Sequence, residues 1–480
     1  MQILDPNTWA SSEFGNSELG DIRRTRRLVE IGAKLAASPG GTLCATIREW
    51  SALKRAYQLF AREEVSHTSV TASHLERTEA ALREPGDYLI LEDTTSLNFE
   101  SHLAIKGMGW MGDGRQGLNV HTALATRVER WDGATPVVSL VGLARQEVWS
   151  RIGPPKNRKE SRKERRNRER ESQRWTRNIR QLKTPPSGRR WTFVADREAD
   201  IFEDFVACRD QHWDFIIRAK EPRRLADQSC SLMDAVAGAL RLGTKRVSLR
   251  ARSATQGRKA MPAREARLEI RAVAVTVKCP ADRSPQLAPV VLNVVEAREV
   301  GAPPGVEPLH WVLLTTWPIK DIEQVWRVVE SYGARWLIEE YHKALKTGVG
   351  IEKVQLATRQ RIEALLGVLA ILAARLLGMK LLAKTEPDTP LPTEVLGPEV
   401  LEILEASRGK PSGGWTYATA LIAIARLGGF LARRSDGLPG WITIWRGWRR
   451  LMDMKHGLEL IRKKERSRAK TVSGGAQRSG

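Results

Sequence analysis

Three acidic residues stand where they could share one chemical task. Asp93 closes the apolar run YLILED, Asp196 closes WTFVAD, and Glu339 lies inside YGARWLIEEYHKALK. Carboxylates at two strand ends and on one helix can converge on divalent cations, and magnesium takes such hard oxygen donors. Two ions about 4 Å apart can serve both the attacking and the leaving oxygen of an in-line displacement, so the chemistry in view is two-metal phosphoryl transfer. A single Asp after a strand is ordinarily a turn or helix cap. Two of them, one followed by Thr94-Thr95-Ser96 and the other opening DREAD, argue for more.

The helix carrying Glu339 adds a basic face. At roughly 100° per residue, Tyr332, Arg335, Lys343 and Lys346 all fall within about 60° of Glu339. Such a face could grip a phosphodiester beside a metal site, with Arg335 as a bidentate clamp and the lysines as point charges. Mixed charge on a solvated helix is the alternative for any one of these residues.

The elements that must position these groups follow from the hydrophobic pattern. DYLILED, GLNVHTALATRV and TPVVSLVGLARQEVW read as neighbouring antiparallel strands separated by Gly and Pro punctuation. WTFVADREADIFEDFVAC reads as a buried strand followed by a helix, and DFIIRAKEPRR as a further strand. KRVSLRARS, REARLEIRAVAVTVK, APVVLNVVEAREV and LHWVLLTTWPI then form a β-rich subdomain inserted late in an α/β domain. One long helical pattern spans Asp321 to Thr347, and the chain beyond Lys353 is helical again. It ends in the basic tail IRKKERSRAK, expected to be mobile. Trp441, Trp445 and Trp448 share a helix face that serves either core or dimer interface, with core the simpler expectation.

Charge sets the partner. The 480 residues carry 78 Lys and Arg against 56 Asp and Glu, for a net charge of +22 and a pI near 10.2, with a normal hydrophobic share of 41%. A folded body with this field favours polyanions, and nucleic acid fits better than a membrane surface. The first 75 or so residues read as helical and basic. Arg23, Arg24, Arg26 and Arg27 within one or two helical turns suit phosphate contacts, or else a solvated face. The stretch 154–184 is densely charged and reads as a solvated helix or a disordered loop, with DNA contact a secondary possibility.

Other classes are disfavoured. Cys44, Cys208, Cys230 and Cys279 show no CxxC and no zinc spacing, so they are expected to be buried thiols. The N-terminus lacks the pattern of a secretory signal. The apolar run Ala364 to Ala374 stops at Arg375, too short to span a bilayer. A cytoplasmic protein is expected.

These residues resemble the DDE transposases of bacterial insertion sequences, specifically the insertion-sequence-four group that includes the Tn-five transposase. That group's signature of Tyr, two residues, Arg, three residues, Glu, six residues and Lys is present as Tyr332, Arg335, Glu339 and Lys346. LEDTTSL, VHTALA, ADREADI, DFIIRAKEPR, HWVLLT and AIARLGGF extend the resemblance over nearly the whole chain. It implies a ribonuclease-H-like catalytic core with a β-strand insertion, flanked by helical N- and C-terminal domains. On this chain the divisions would be a DNA-end-binding domain over 1–75, a catalytic domain over 76–365 with the β-insertion about 222–312, and a dimerisation domain over 366–480.

By the same resemblance Asp93, Asp196 and Glu339 would hold two magnesium ions, with manganese able to substitute. Tyr332, Arg335 and Lys346 would grip phosphates of the transposon end, and Arg218 would be a basic residue near the site. Trp311 would accommodate a base flipped from the duplex end, where stacking offsets part of the few kcal/mol that ejection costs; plain core packing is its competing role. The implied activity is cut-and-paste transposition through end cleavage, hairpin formation and opening, and strand transfer. The implied partners are the inverted-repeat ends, target DNA and a second copy of the chain, in a bacterial, nucleoid-associated setting. His121 and His342 receive no catalytic role. A catalytically inactive transposition regulator and a structure-selective nuclease on the same fold are the alternatives. The 154–184 stretch is more basic than the resemblance leads one to expect, and the N-terminus matches it loosely.

Overall fold

The computed structural model describes the chain except residues 1–4, 103, 112–113, 152–170, 172, 227–228, 250–260, 282–286, 434–435 and 477–480, and it describes no side chains for 466–476. Most of the 154–184 stretch therefore lies outside the described residues. Its end forms a helix, Gln173–Leu182.

Five helices come first: α1 (Pro6–Phe14), α2 (Ile22–Ala37), α3 (Leu43–Thr46), α4 (Trp50–Phe60) and α5 (His67–Leu82). Their starts are written locally. Asp5, Asp21, Thr42 and Ser66 each cap a helix by accepting from a first-turn backbone N–H. The chain then enters β1 (Gly86–Asn98), β2 (Gly117–Asp132) and β3 (Thr135–Trp149), the three antiparallel strands expected from the alternation.

After α6 (Gln173–Leu182) come β4 (Arg189–Ala195), α7 (Phe202–Asp210), β5 (Asp214–Arg218) and α8 (Leu232–Gly238). Strands β6 (Arg241–Leu249), β7 (Arg264–Val277), β8 (Val290–Val300) and β9 (His310–Thr315) follow. The nine strands among the described residues join one sheet in the order β3-β2-β1-β4-β5-β9-β8-β7-β6. β4 pairs in parallel with both β1 and β5, and β9 returns antiparallel beside β5. The late β-rich segments thus extend the central sheet and do not form a separate one.

Period-two alternation gives this sheet two buried faces. Leu89, Leu91, Val194, Ile216 and Leu313 join one core with the long C-terminal helices, whereas Tyr88, Ile90, Phe193, Phe215 and Leu314 join another with α6 and α7. By the same parity, Asp93 and Asp196 belong to the first face.

The remaining helices are α9 (Ile322–Gly333), α10 (Trp336–Lys343), α11 (Arg359–Thr385), α12 (Thr393–Leu396), α13 (Pro398–Arg408), α14 (Tyr417–Leu427) and α15 (Trp441–Ala476). Two expectations are corrected here. The pattern from Asp321 to Thr347 is not one helix: a turn at Ala334 and Arg335 separates α9 from α10, and a π-helical turn, Ala344–Gly348, follows α10. The apolar run also continues past Arg375, so that α11 spans 27 residues and is long and apolar enough to cross a membrane. However, 83% of its most apolar window is buried inside the protein, as a helix apolar all round requires when it forms a core. Of the three tryptophans expected to share a face, Trp441 and Trp448 are buried in the core and Trp445 is half-buried against it. Among the cysteines only Cys208 is buried, and Cys44 is exposed.

Candidate active site

Asp93 is not at a strand end. β1 runs on to Asn98, still paired with β2, but its parallel pairing with β4 stops at Leu91 opposite Val194. Asp93 lies two residues beyond that point, where β1 pairs with β2 and no longer with β4. Asp196 does follow the end of its strand, and its side chain accepts from the Glu198 N–H at 2.8 Å, capping a short 3-10 turn. The cap and a site role are compatible, because that bond uses one carboxylate oxygen.

Glu339 arrives from α10. Arg335, in the turn before this helix, connects two of the acids: Nη2 donates to Glu339 Oε1 at 2.6 Å and Nη1 to Asp93 Oδ2 at 3.4 Å. The turn puts its guanidinium between the strand and the helix. Burial pushes the Asp93 carboxyl up to about 6, the Arg335 charge opposes that rise, and the negative charges of Asp196 and Glu339 add to it. The structure thus brings the three sequence-selected acids into one electrostatic neighbourhood.

Tyr332 is buried, and its ring meets Trp311 edge-on at 5.1 Å between centroids. Burial raises its phenol above the ordinary value, against the pull of Arg335 and Arg218. Arg218 donates to the His310 carbonyl at 2.9 Å. Burial lowers its pKa, and burial does the same for Lys346, which feels Glu352, Arg115 and Asp93. Lys343 is the exception on this face. Its Nζ lies 3.3 Å from Glu340 and 4.4 Å above the Trp336 ring, so its charge is engaged away from Glu339.

In the N-terminal helices Arg23 pairs with Asp21, Arg24 with Glu64 and Arg27 with Glu30, while Arg26 is exposed. Three of the four arginines therefore have intramolecular partners on a partly solvated face.

The opposite face of β1 carries a polar cluster that the sequence did not single out. His121 lies between Glu92 Oε2, at 3.0 Å from Nε2, and the Thr94 hydroxyl, at 2.9 Å from Nδ1. Asn178 of α6 donates to the same Glu92 oxygen at 3.2 Å, and Trp175 packs edge-on against the imidazole. Burial raises the Glu92 carboxyl, while His121 and Asn178 oppose that rise. Glu92 and Thr94 flank Asp93 in sequence but face away from it. His342, three residues after Glu339, is buried and held down to about 3, first by burial and then by neighbouring positive charge, so it is a neutral imidazole.

A divalent cation suits this place by donor type and charge. The donors are carboxylate oxygens, and the charge crowding Asp93 is of the sign a cation relieves. Among the described residues no three His, Cys, Asp or Glu side chains close to ligand distance around one point, and Arg335 stands between Asp93 and Glu339.

Two family comparisons bear on the chain. Residues 6–65 match the transposase DNA-binding family, and residues 173–375 match the transposase DDE domain. The first match covers α1 to α4. The second begins at α6 and ends within α11, so it contains Asp196, Arg218, Trp311, Tyr332, Arg335, Glu339 and Lys346. A match to a transposase DNA-binding region and one to a DDE domain in the same chain support the function of a DNA transposase. The chain carries the two domains of a DDE transposase, a DNA-cleaving and strand-transferring enzyme class whose catalytic domains use divalent metal ions.

Proposed function

We propose that this protein is a cut-and-paste DNA transposase of the insertion-sequence-four group, resembling the Tn-five transposase, with Asp93, Asp196 and Glu339 as its catalytic acids. The observation that carries this reading is the joining of Asp93 and Glu339 through Arg335 at a place where Asp196 also acts on Asp93. The five-strand order β3-β2-β1-β4-β5, with an antiparallel meander and two parallel strands, supports a ribonuclease-H-like core.

In the proposed reaction water attacks the phosphodiester at the transposon end and leaves a 3′-hydroxyl. That hydroxyl attacks the opposite strand to give a hairpin, which a second water opens, and the 3′-hydroxyl then attacks target DNA. Each step breaks one phosphorus–oxygen bond and forms another. The three acids would hold two magnesium ions, which when bound supply charge neutralisation at the attacking and leaving oxygens. Arg335 and Lys346 would bind the phosphates of the end and orient the scissile bond, with Tyr332 and Arg218 beside them. Trp311, half-buried against Tyr332, would offer a ring edge and face for an unpaired base. The basic helices before residue 75 would hold the transposon end, and the helices after 366 a second copy of the chain.

The test uses purified full-length protein with magnesium, DNA carrying the inverted repeats that flank its gene, and a circular target. Excision and joining by the wild type are expected, with Asp93→Asn, Asp196→Asn and Glu339→Gln losing cleavage by at least about a thousandfold while still binding DNA. An active Glu339→Gln protein would sink the assignment. Cleavage without joining would indicate a nuclease, and binding without either a regulator.

A further inference from the structure

Asp93 and Glu339 sit on different elements, so their separation depends on how α10 is held over the sheet. Strand register places Asp93 opposite Thr122, and Thr122 opposite Gln146, in one row across β1, β2 and β3. The β2–β3 ladder shifts register between Ala123 and Leu124, immediately beside this row, and then stays in register to Asn119 opposite Trp149.

Gln146 links that row to the helix. Its Nε2 donates to Thr122 Oγ1 at 2.9 Å and to Tyr341 OH at 2.9 Å, while its Oε1 lies 2.9 Å from His67 Nε2 at the start of α5. Both amide hydrogens are thus used. Thr122 and Tyr341 are fully buried, and His67 is nearly so, which makes loss of any partner costly. Tyr341 follows Glu339 by two residues, about 200° around the helix. The bond therefore holds α10 from the side away from the carboxylate and opposes rotation about the helix axis.

From this geometry we infer that Gln146 is a positioning residue for the acidic site: it fixes the distance and rotation of Glu339 relative to Asp93 by tying Tyr341 to the row that contains Asp93. The inference rests on the proposed metal-binding role of the acids. A residue of this kind acts on the affinity of the site for its cation more than on the affinity of the protein for DNA, because the bonds of Gln146 run to β2, α10 and the first residue of α5, outside the matched DNA-binding region of residues 6–65.

The experiment measures Mn2+ binding by paramagnetic resonance on the full-length protein bound to end DNA. The proteins compared are the wild type, Gln146→Met, Tyr341→Phe, the double variant and Glu339→Gln. Each single change is expected to weaken Mn2+ binding about tenfold, with DNA affinity unchanged and cleavage restored by raising magnesium. The double variant is expected to be no worse than Gln146→Met alone, since that change already removes the link to Tyr341. Tyr341→Phe retains the packed ring, so it carries the test if Gln146→Met folds poorly. Wild-type Mn2+ affinity in folded Tyr341→Phe overturns the inference, and so do additive losses that track falling thermal stability. If Glu339→Gln also binds Mn2+ like the wild type, the metal-site reading itself fails, and the positioning role falls with it.

Discussion

Burial sets the behaviour of Asp93 as much as its neighbours do. Its carboxyl is raised from 3.8 to about 6, chiefly by removal from water. A carboxyl raised in the folded state favours folding when protonated, so the cost of its charge is absent below about pH 4 and fully present above about pH 6. Asp93→Asn is therefore expected to stabilise the metal-free protein at pH 7 to 8, by at most about 3 kcal/mol. The gain should shrink to nothing as pH falls from 6 to 4. Thermal melts of both proteins across this range, without divalent cations, check the prediction; a pH-independent difference would contradict it. Stability given up at a functional position is a recurrent trade.

At the scale of elements, α10 is held from several sides. Trp441 of α15 donates to Glu340 at 2.9 Å, and Lys380 of α11 reaches the same carboxylate oxygen at 2.6 Å. The residue next to Glu339 thereby connects the C-terminal helix to the site. α15 can approach because its crossing with α14 is made on glycine: a Cβ at Gly447 would lie 1.7 Å from the Ile424 carbonyl oxygen, and one at Gly428 1.9 Å from that of Thr443. Neither backbone oxygen can yield without moving its helix. Gly447→Ala is expected to destabilise the protein by about 1–3 kcal/mol or more, read as a lower denaturant midpoint. Since Trp441 would move with α15, cleavage should fall as well; an unchanged midpoint would show that the two helices separate freely.

The molecule as a whole couples a large sheet with two buried faces to an excess of positive charge. The chain carries a net charge of +22, and at the candidate site Arg335 pairs with both Asp93 and Glu339. Binding to DNA should then be driven strongly by counterion release. With about six to ten phosphate contacts, affinity for end DNA is expected to fall by about 10³ to 10⁵ between roughly 50 and 200 mM salt. Replacing exposed Arg26 should reduce the slope of log K against log salt by about one if it contacts a phosphate. A shallow dependence in the full-length protein would move the energy of binding from phosphate contacts to other interactions. α11 ties this charged body together, with its apolar surface against the core beside the sheet and its end against the C-terminal cluster.

Much of this was legible in the residues because it is local. Alternating apolar positions specified β1 to β3, continuous apolar runs specified β4 and β5, and residue spacing marked Tyr332, Arg335, Glu339 and Lys346 as a set. Contacts between distant segments decided the rest. β1 runs through Asp93 because β2 continues to pair with it after β4 has stopped, which no pattern within YLILED encodes. The turn at Arg335 and the π turn after Lys343 redistribute an expected single face, turning Lys343 to Glu340 and Arg335 to the acids. Gln146, inside ARQEVW, carries no local signal at all, because its role consists of two strands and a helix meeting at one amide. Sequence determined which groups are present and the period of each element; tertiary structure alone decided which groups face one another, since that depends on strand pairing and helix packing across hundreds of residues.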